Sequence, residues 1–294
     1  MSWLIDPLSA DFFVRALLGG VLVAVICGVV GTWVVIRGMA FLGEAIGHGM
    51  LPGVALATVL GAPVLLGGAV SAVAMSAAIG ALQRRGRLSY DTSIGLLFVG
   101  MLSLGVIIVS HSRSFATDAT VMLFGDVLAI DTGDLVLLAV ALVITIVVAT
   151  TFHRGFVASA FDRRIAQTLG LRPQMAQVAL VGLVTLAVVS SYQAVGSLLV
   201  VGLLIAPAVA ARSWATRIPA TMVVASLVGM LAVAVGLLAS WNAGTAAGAS
   251  IACAAILLAA VSAALRGALD RARRSRAPHL TSDAHTGDRV GAPS

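Results

Sequence analysis

Glu44 is the only glutamate in this 294-residue chain, and it stands four residues ahead of His48. The stretch around them reads Arg37-Gly-Met-Ala-Phe-Leu-Gly43-Glu44-Ala-Ile-Gly-His48-Gly-Met-Leu-Pro52-Gly53. On a helix, this spacing puts both side chains on one face, one turn apart. A carboxylate oxygen and an imidazole nitrogen make a donor pair suited to zinc, manganese or ferrous iron. Pro52 and the neighbouring glycines weaken a helix, and a helix broken there would turn backbone carbonyls toward a cavity. A plainer reading has Glu44 paired with Arg37 at a membrane interface and His48 as a satisfied core residue. Spacing alone does not choose between the two.

Two more segments stand out. Phe161-Asp162-Arg-Arg-Ile-Ala166-Gln-Thr-Leu-Gly170-Leu171 predicts a short amphipathic helix ended by Gly170, with Arg172 and Pro173 beyond it. Ala166 and Gly170 are small and four apart, so another protein could dock closely there; a helix lying on lipid is the alternative. The run from Gln193 to Arg212 carries Pro207 in its last turns, which favours a kinked or broken helix. Cys27 and Cys253 both fall inside apolar runs and read as small packing residues rather than ligands or a disulfide.

The elements that must position these residues follow from composition. Apolar residues make up 60% of the chain, charged residues 10%, and the mean hydropathy is +1.08. A soluble domain carries about 25% charged residues, so this chain could not cover a water-facing surface. Residues 16–36 include no charge over 21 positions, enough to cross a hydrocarbon core of about 30 Å. The runs are continuous rather than alternating, so the spanning elements are helices and the fold class is all-α. Nine spans are expected, at roughly 16–36, 45–60, 63–82, 94–110, 135–152, 176–192, 195–211, 218–240 and 245–265. An eight-span arrangement would require the second to re-enter. The first reads as a retained span and not a cleaved signal, since no basic region precedes it and its apolar core is too long.

Charge placement sets orientation and excludes several functions. All 18 basic residues are Arg. Without Lys, the phosphate-binding signature G-x-x-x-x-G-K-[ST] cannot occur, so any ATP that drives this chain is bound by another polypeptide. The net charge of +6 does not indicate nucleic acid, because the Arg residues sit at segment ends and in the C-terminal region, where topology needs them. Every odd span ends at a basic loop, which puts the C-terminus in the cytoplasm and the N-terminus outside. Residues 1–266 thus read as one transmembrane domain. Residues 267–294, polar and without a periodic apolar face, read as a disordered cytoplasmic tail whose His279 and His285 are inert.

Taken together, these segments resemble the permease subunits of the ABC-type zinc, manganese and iron importer family. The Arg37-to-Ala55 stretch is similar to that family's pattern of Gly, an acid, Ala, a His four residues after the acid, then Leu-Pro-Gly. The acid there is usually Asp; Glu44 is one methylene longer. The Phe161-to-Leu171 stretch is similar to the family's ATPase-docking helix, and the run from Gln193 through Ala206-Pro207-Ala208 to its late transmembrane signature. Ser89-Tyr90-Asp91-Thr92 and Leu123-Phe124-Gly125-Asp126 add to the likeness, which covers about 12–265.

The resemblance implies a fold similar to that of the cobalamin and siderophore importer permeases, and a homodimer with the metal path along its axis. It implies a bacterial plasma-membrane protein, two copies of a separate ABC ATPase beneath the cytoplasmic helices, and a metal-binding protein outside. Glu44 and His48 would be the pathway ligands, Phe161, Asp162, Ala166 and Gly170 the docking residues, and Pro52 and Pro207 the gate or helix breaks. No cofactor would be bound permanently; the cargo would be zinc(II) or manganese(II), with zinc favoured by the imidazole–carboxylate pair. Three other readings stand beside it. One is a proton-coupled secondary transporter, one a permease for a metal chelate or other small solute. The third, a membrane-embedded enzyme, lacks an H-E-x-x-H motif and has a single acid–His pair.

Overall fold

A computed structural model describes residues 10–84, 89–110, 125–161, 167, 168 and 170–275. Ten α-helices occur among them: α1 (Asp11–Ile36), α2 (Ala40–Gly49), α3 (Leu51–Leu60), α4 (Val64–Arg84), α5 (Tyr90–Ser110), α6 (Thr132–Thr151), α7 (His153–Phe161), α8 (Pro173–Arg212), α9 (Ile218–Ala243) and α10 (Ala247–Ser275). One 3-10 turn, Val127–Ala129, precedes α6. No strand occurs among the described residues.

Nine helical stretches among these residues are long and apolar enough to cross a membrane. They match the nine expected spans. The second, Ala40–Leu60, is α2 and α3 together, and α8 supplies two, Pro173–Tyr192 and Ala194–Arg212. Each helix satisfies its own backbone, which is what a hydrocarbon environment demands.

The spans form a buried centre and an exposed periphery. Helix α1, the α2–α3 span and both arms of α8 bury more than half of their most apolar stretch, whereas α4, α5, α6 and α10 are largely exposed. Helix α1 packs most extensively on α8 and α9. Small residues let backbones approach where side chains would hold them apart. A Cβ on Gly31 would collide with the Leu204 carbonyl oxygen, and Gly53 and Gly67 lie against each other's carbonyls. Cys27 is buried and directs its thiol toward the Val200 carbonyl at 3.9 Å, as a packing residue would, and Cys253 is exposed on α10.

The two ends of the bundle differ in their aromatic residues. Trp241 packs on Phe12 and Phe13 at ring separations of 6.0 and 5.8 Å. At the Arg-rich end, Trp214 donates to Ser262 Oγ at 2.7 Å and lies under the Arg266 guanidinium at 5.7 Å. Such rings mark the two interfaces of a membrane.

Two boundaries depart from expectation. Helix α10 runs on to Ser275, past the 266/267 boundary, where Ala and Arg favour helix and Arg266 pairs with Asp270 one turn on at 3.7 Å. His279 and His285 lie outside the described residues. The second concerns α8, which stays helical through Pro207; its backbone breaks at Gly196, with φ 71° and ψ 165°. That conformation is essentially closed to residues with a Cβ.

Candidate functional site

Helix α2 is short and starts directly after the corner Arg37-Gly38-Met39, where Gly38 takes φ 65° to turn the chain. Its buried face, Leu42, Gly43, Ala45, Ile46, Gly47 and Gly49, packs inward. Gly43 lies against Leu204 and Gly47 against Ser197, both of the second arm of α8. The i, i+4 register then sets Glu44 and His48 side by side at the edge of that face. His48 Nε2 lies 3.0 Å from Glu44 Oε1, with side-chain exposures of 18% and 36%. A carboxylate oxygen only accepts, so Nε2 donates. The Phe98 ring of α5 stands edge-on to the imidazole at 5.4 Å and fixes its plane.

The plainer reading of Glu44 fails on geometry. The guanidinium of Arg37 donates to Gln177 Oε1 at 2.7 Å, 140 residues away, while the Glu44 carboxylate faces His48. Pro52 lacks the N–H that would reach the His48 carbonyl, and the span divides at Met50 into α2 and α3. The single Met50 N–H points back at the Ile46, Gly47 and His48 carbonyls, and the Gly49 carbonyl accepts from Ser71 Oγ at 2.6 Å. Met50 itself keeps helical φ and ψ of −74° and −26°, so the chain direction is little changed across the joint.

Of the docking residues, Phe161 ends α7, while Asp162 and Ala166 lie outside the described residues. Gly170 is exposed, takes φ 71°, and donates its N–H to the Gln167 carbonyl at 3.0 Å, the geometry of a helix terminator. Pro207 lies within a continuous helix, and the non-helical residue is Gly196, beside the connection expected between the sixth and seventh spans. The turn between the two arms of α8 is buried, and Gly125 sits on it so closely that a Cβ there would meet Val195 and the Gly196 nitrogen.

Among the described residues no three His, Cys, Asp or Glu side chains gather into a set able to hold a metal. Glu44 and His48 are two donors, fewer than the four of a structural zinc site. Two donors of this kind would leave the remaining coordination positions of a divalent cation to water or to another chain.

Comparison with known proteins gives a consistent result. A family model described as the ABC 3 transport family matches residues 9–266. The manganese transport system membrane protein MntC of Halalkalibacterium halodurans is 36% identical over 245 residues, 83% of this chain and 84% of that protein. A probable iron transport system membrane protein of Haemophilus influenzae is 31% identical over 250 residues, 85% of this chain and 92% of that one. Among solved structures, PsaBC of Streptococcus pneumoniae in complex with Fab superposes with a TM-score of 0.78 at 30% identity, covering 88% of this chain and 94% of that one.

Proposed function

Since the chain belongs to the ABC 3 transport family, a family of multi-pass permeases of ABC metal importers, we propose that it carries manganese(II) across a bacterial plasma membrane. It is a transport subunit and makes or breaks no bond itself. The observation that carries the reading is the Glu44–His48 pair, half-exposed on a buried membrane span. Zinc is favoured by the donor types alone, whereas the relatives described above are named for manganese and iron. Weak two-donor ligation suits a metal low in the affinity order, which would dissociate readily.

The partners belong to this reading. A separate ATPase docks beneath the 153–173 segment, a binding protein delivers metal at the opposite end, and the Arg-rich ends and the C-terminus face the cytoplasm. A second copy of the chain brings a second Glu44 and His48, so that four donors flank one path. Between cargo ions, each side chain of the pair is the other's partner. An arriving cation replaces that hydrogen bond, and a neutral His48 offers it the Nε2 lone pair by carrying its proton on Nδ1 instead.

The test is labelled manganese uptake in cells expressing this chain with its ATPase and binding protein, with zinc and ferrous iron as competitors. ATP-dependent uptake that manganese itself competes best is the expected result. Uptake driven by a proton gradient without the ATPase, or competed best by zinc, would overturn the assignment.

A further inference from the structure

His48 stands between two glycines, and a different helix packs on each. A Cβ on Gly47 would meet the Ser197 Cβ of the second arm of α8 at 3.3 Å, and one on Gly49 would collide with Met75 Sδ of α4. Just beyond them the helical ladder is interrupted. Met50 N–H donates to the Ile46 carbonyl at 3.1 Å and Val54 N–H to the Met50 carbonyl at 3.0 Å. In a continuous helix the Gly49 carbonyl would accept from Gly53 N–H, four residues on. Here it is met by the hydroxyl of Ser71 at 2.6 Å, 22 residues along the chain on α4. Ser71 is 7% exposed, and its Cβ comes close to Gly53, which has no side chain to hold it off. Helix α4 is tied in turn to the first arm of α8, where the Ser76 and Thr185 hydroxyls share a bond of 2.7 Å.

We infer that Ser71 is a positioning residue for His48, supplying through the Gly49 carbonyl the donor that the backbone withholds at this joint. The inference rests on the reading that Glu44 and His48 bind the cargo ion. Two donors compete for the Gly49 carbonyl, the Ser71 hydroxyl and the Gly53 N–H. While the hydroxyl holds it, α2 and α3 stay separate helices and the last turn of α2 is anchored to α4. Without the hydroxyl, a buried carbonyl would be left unpaired, so it turns to Gly53 N–H. That closes the turn at Met50 and carries the neighbouring His48 with it. The imidazole then leaves the place where it meets Glu44 at 3.0 Å and the Phe98 ring at 5.4 Å. Ser76 makes a bond of similar length from the same helix but reaches α8, so its loss loosens α4 without touching the peptide beside His48.

The test uses the full chain with its ATPase in lipid nanodiscs, titrated with manganese alone. Pulsed EPR reads the nitrogen coupling of an imidazole bound to manganese. In wild type this signal should saturate, and His48→Ala should remove it. Ser71→Ala should raise the manganese concentration for half-saturation about fivefold, the factor that one neutral hydrogen bond is worth. Ser71→Thr keeps the hydroxyl and should stay within about twofold of wild type, as should Ser76→Ala. A merely structural bond would lower the yield of complex and leave half-saturation where it was. No change in Ser71→Ala would therefore overturn the assignment, as would an equal rise in Ser76→Ala or no recovery in Ser71→Thr. Should Ser71→Ala fail to assemble, Ser71→Cys decides by the same measure, since a thiol is a weak donor of nearly the same size. A raised half-saturation there supports Ser71, and an unchanged one overturns it. A wild-type signal without nitrogen coupling, or one that survives His48→Ala, would overturn the ligand reading itself, and the role of Ser71 with it.

Discussion

The two polar clusters at either end of the 33–48 stretch are built on opposite principles. Glu44 and His48 share one bond at 3.0 Å and leave the carboxylate a third exposed. Arg37, Gln177 and Tyr90 tie three helices together through bonds of 2.7 and 3.4 Å. The first cluster is under-coordinated and the second is cross-linked. A group that must take and release an ion needs spare valence, whereas a group that must hold helices in register needs bonds that reach from one helix to the next. Six residues of chain lie between Arg37 and Glu44, so the protein sets these opposite requirements almost side by side.

The sharpest way to break the contrast is to empty the open cluster. Glu44→Ala or His48→Ala should cut manganese uptake by about a hundredfold or more, since removing even an outer-shell partner of a metal costs up to that much. The ATPase should still co-purify, because neither side chain holds the helices together; wild-type uptake in both variants would sink the ligand assignment. The closed architecture is tested at its backbone. Gly196→Ala forces a side chain into φ 71° and ψ 165° and should destabilise the protein by about 2 kcal/mol. Thermal unfolding in detergent would read this as a lowered midpoint, and an unchanged midpoint would mean that the turn relaxes freely.

A finer variant changes the reach of one ligand. Glu44→Asp withdraws the carboxylate by one methylene and should break the 3.0 Å contact with His48. Competition between manganese and zinc in the uptake assay should then shift by about threefold to tenfold, with assembly unchanged. The smallest effect belongs to a polar pair in neither cluster. Arg266→Ala removes an exposed bond to Asp270 at 3.7 Å and should change stability by less than about 1 kcal/mol and uptake not at all.

Much of the fold was legible because it is local. Apolar runs longer than a bilayer is thick gave nine spans, and the i, i+4 spacing placed Glu44 beside His48 with no knowledge of tertiary structure. What was not legible depends on contacts between distant parts of the chain. Nothing near Arg37 signals Gln177, and nothing near Trp33 signals Phe156, because each partner lies more than a hundred residues on. The helix break was sought at Pro207, whose missing N–H is a local property. That helix is continuous there; the break is at Gly196, two residues past the connection expected between the sixth and seventh spans, where the backbone packs beneath Gly125. Pro207 is tolerated inside its helix because the loss of one bond near a helix end is small beside the packing around it.

Helix length carries a further consequence. Helix α6 has 20 residues and begins at a capping box in which Asp131 and Asp134 bond each other's backbone, so its start is fixed. At 1.5 Å per residue it spans about 30 Å, the thickness of an average hydrocarbon core. Helices α1 and α9 have 26 residues each and lie in contact. They span about 39 Å and can be accommodated only by leaning or by reaching into the headgroups. Bilayer thickness is thus a mechanical load that falls unequally on the bundle. A thinner membrane would leave α6 nearly matched while tilting the α1–α9 pair further, and α1 is the helix that ends at the corner beginning with Arg37. Lipid composition would then bear on the corner that leads into α2 and its Glu44–His48 pair.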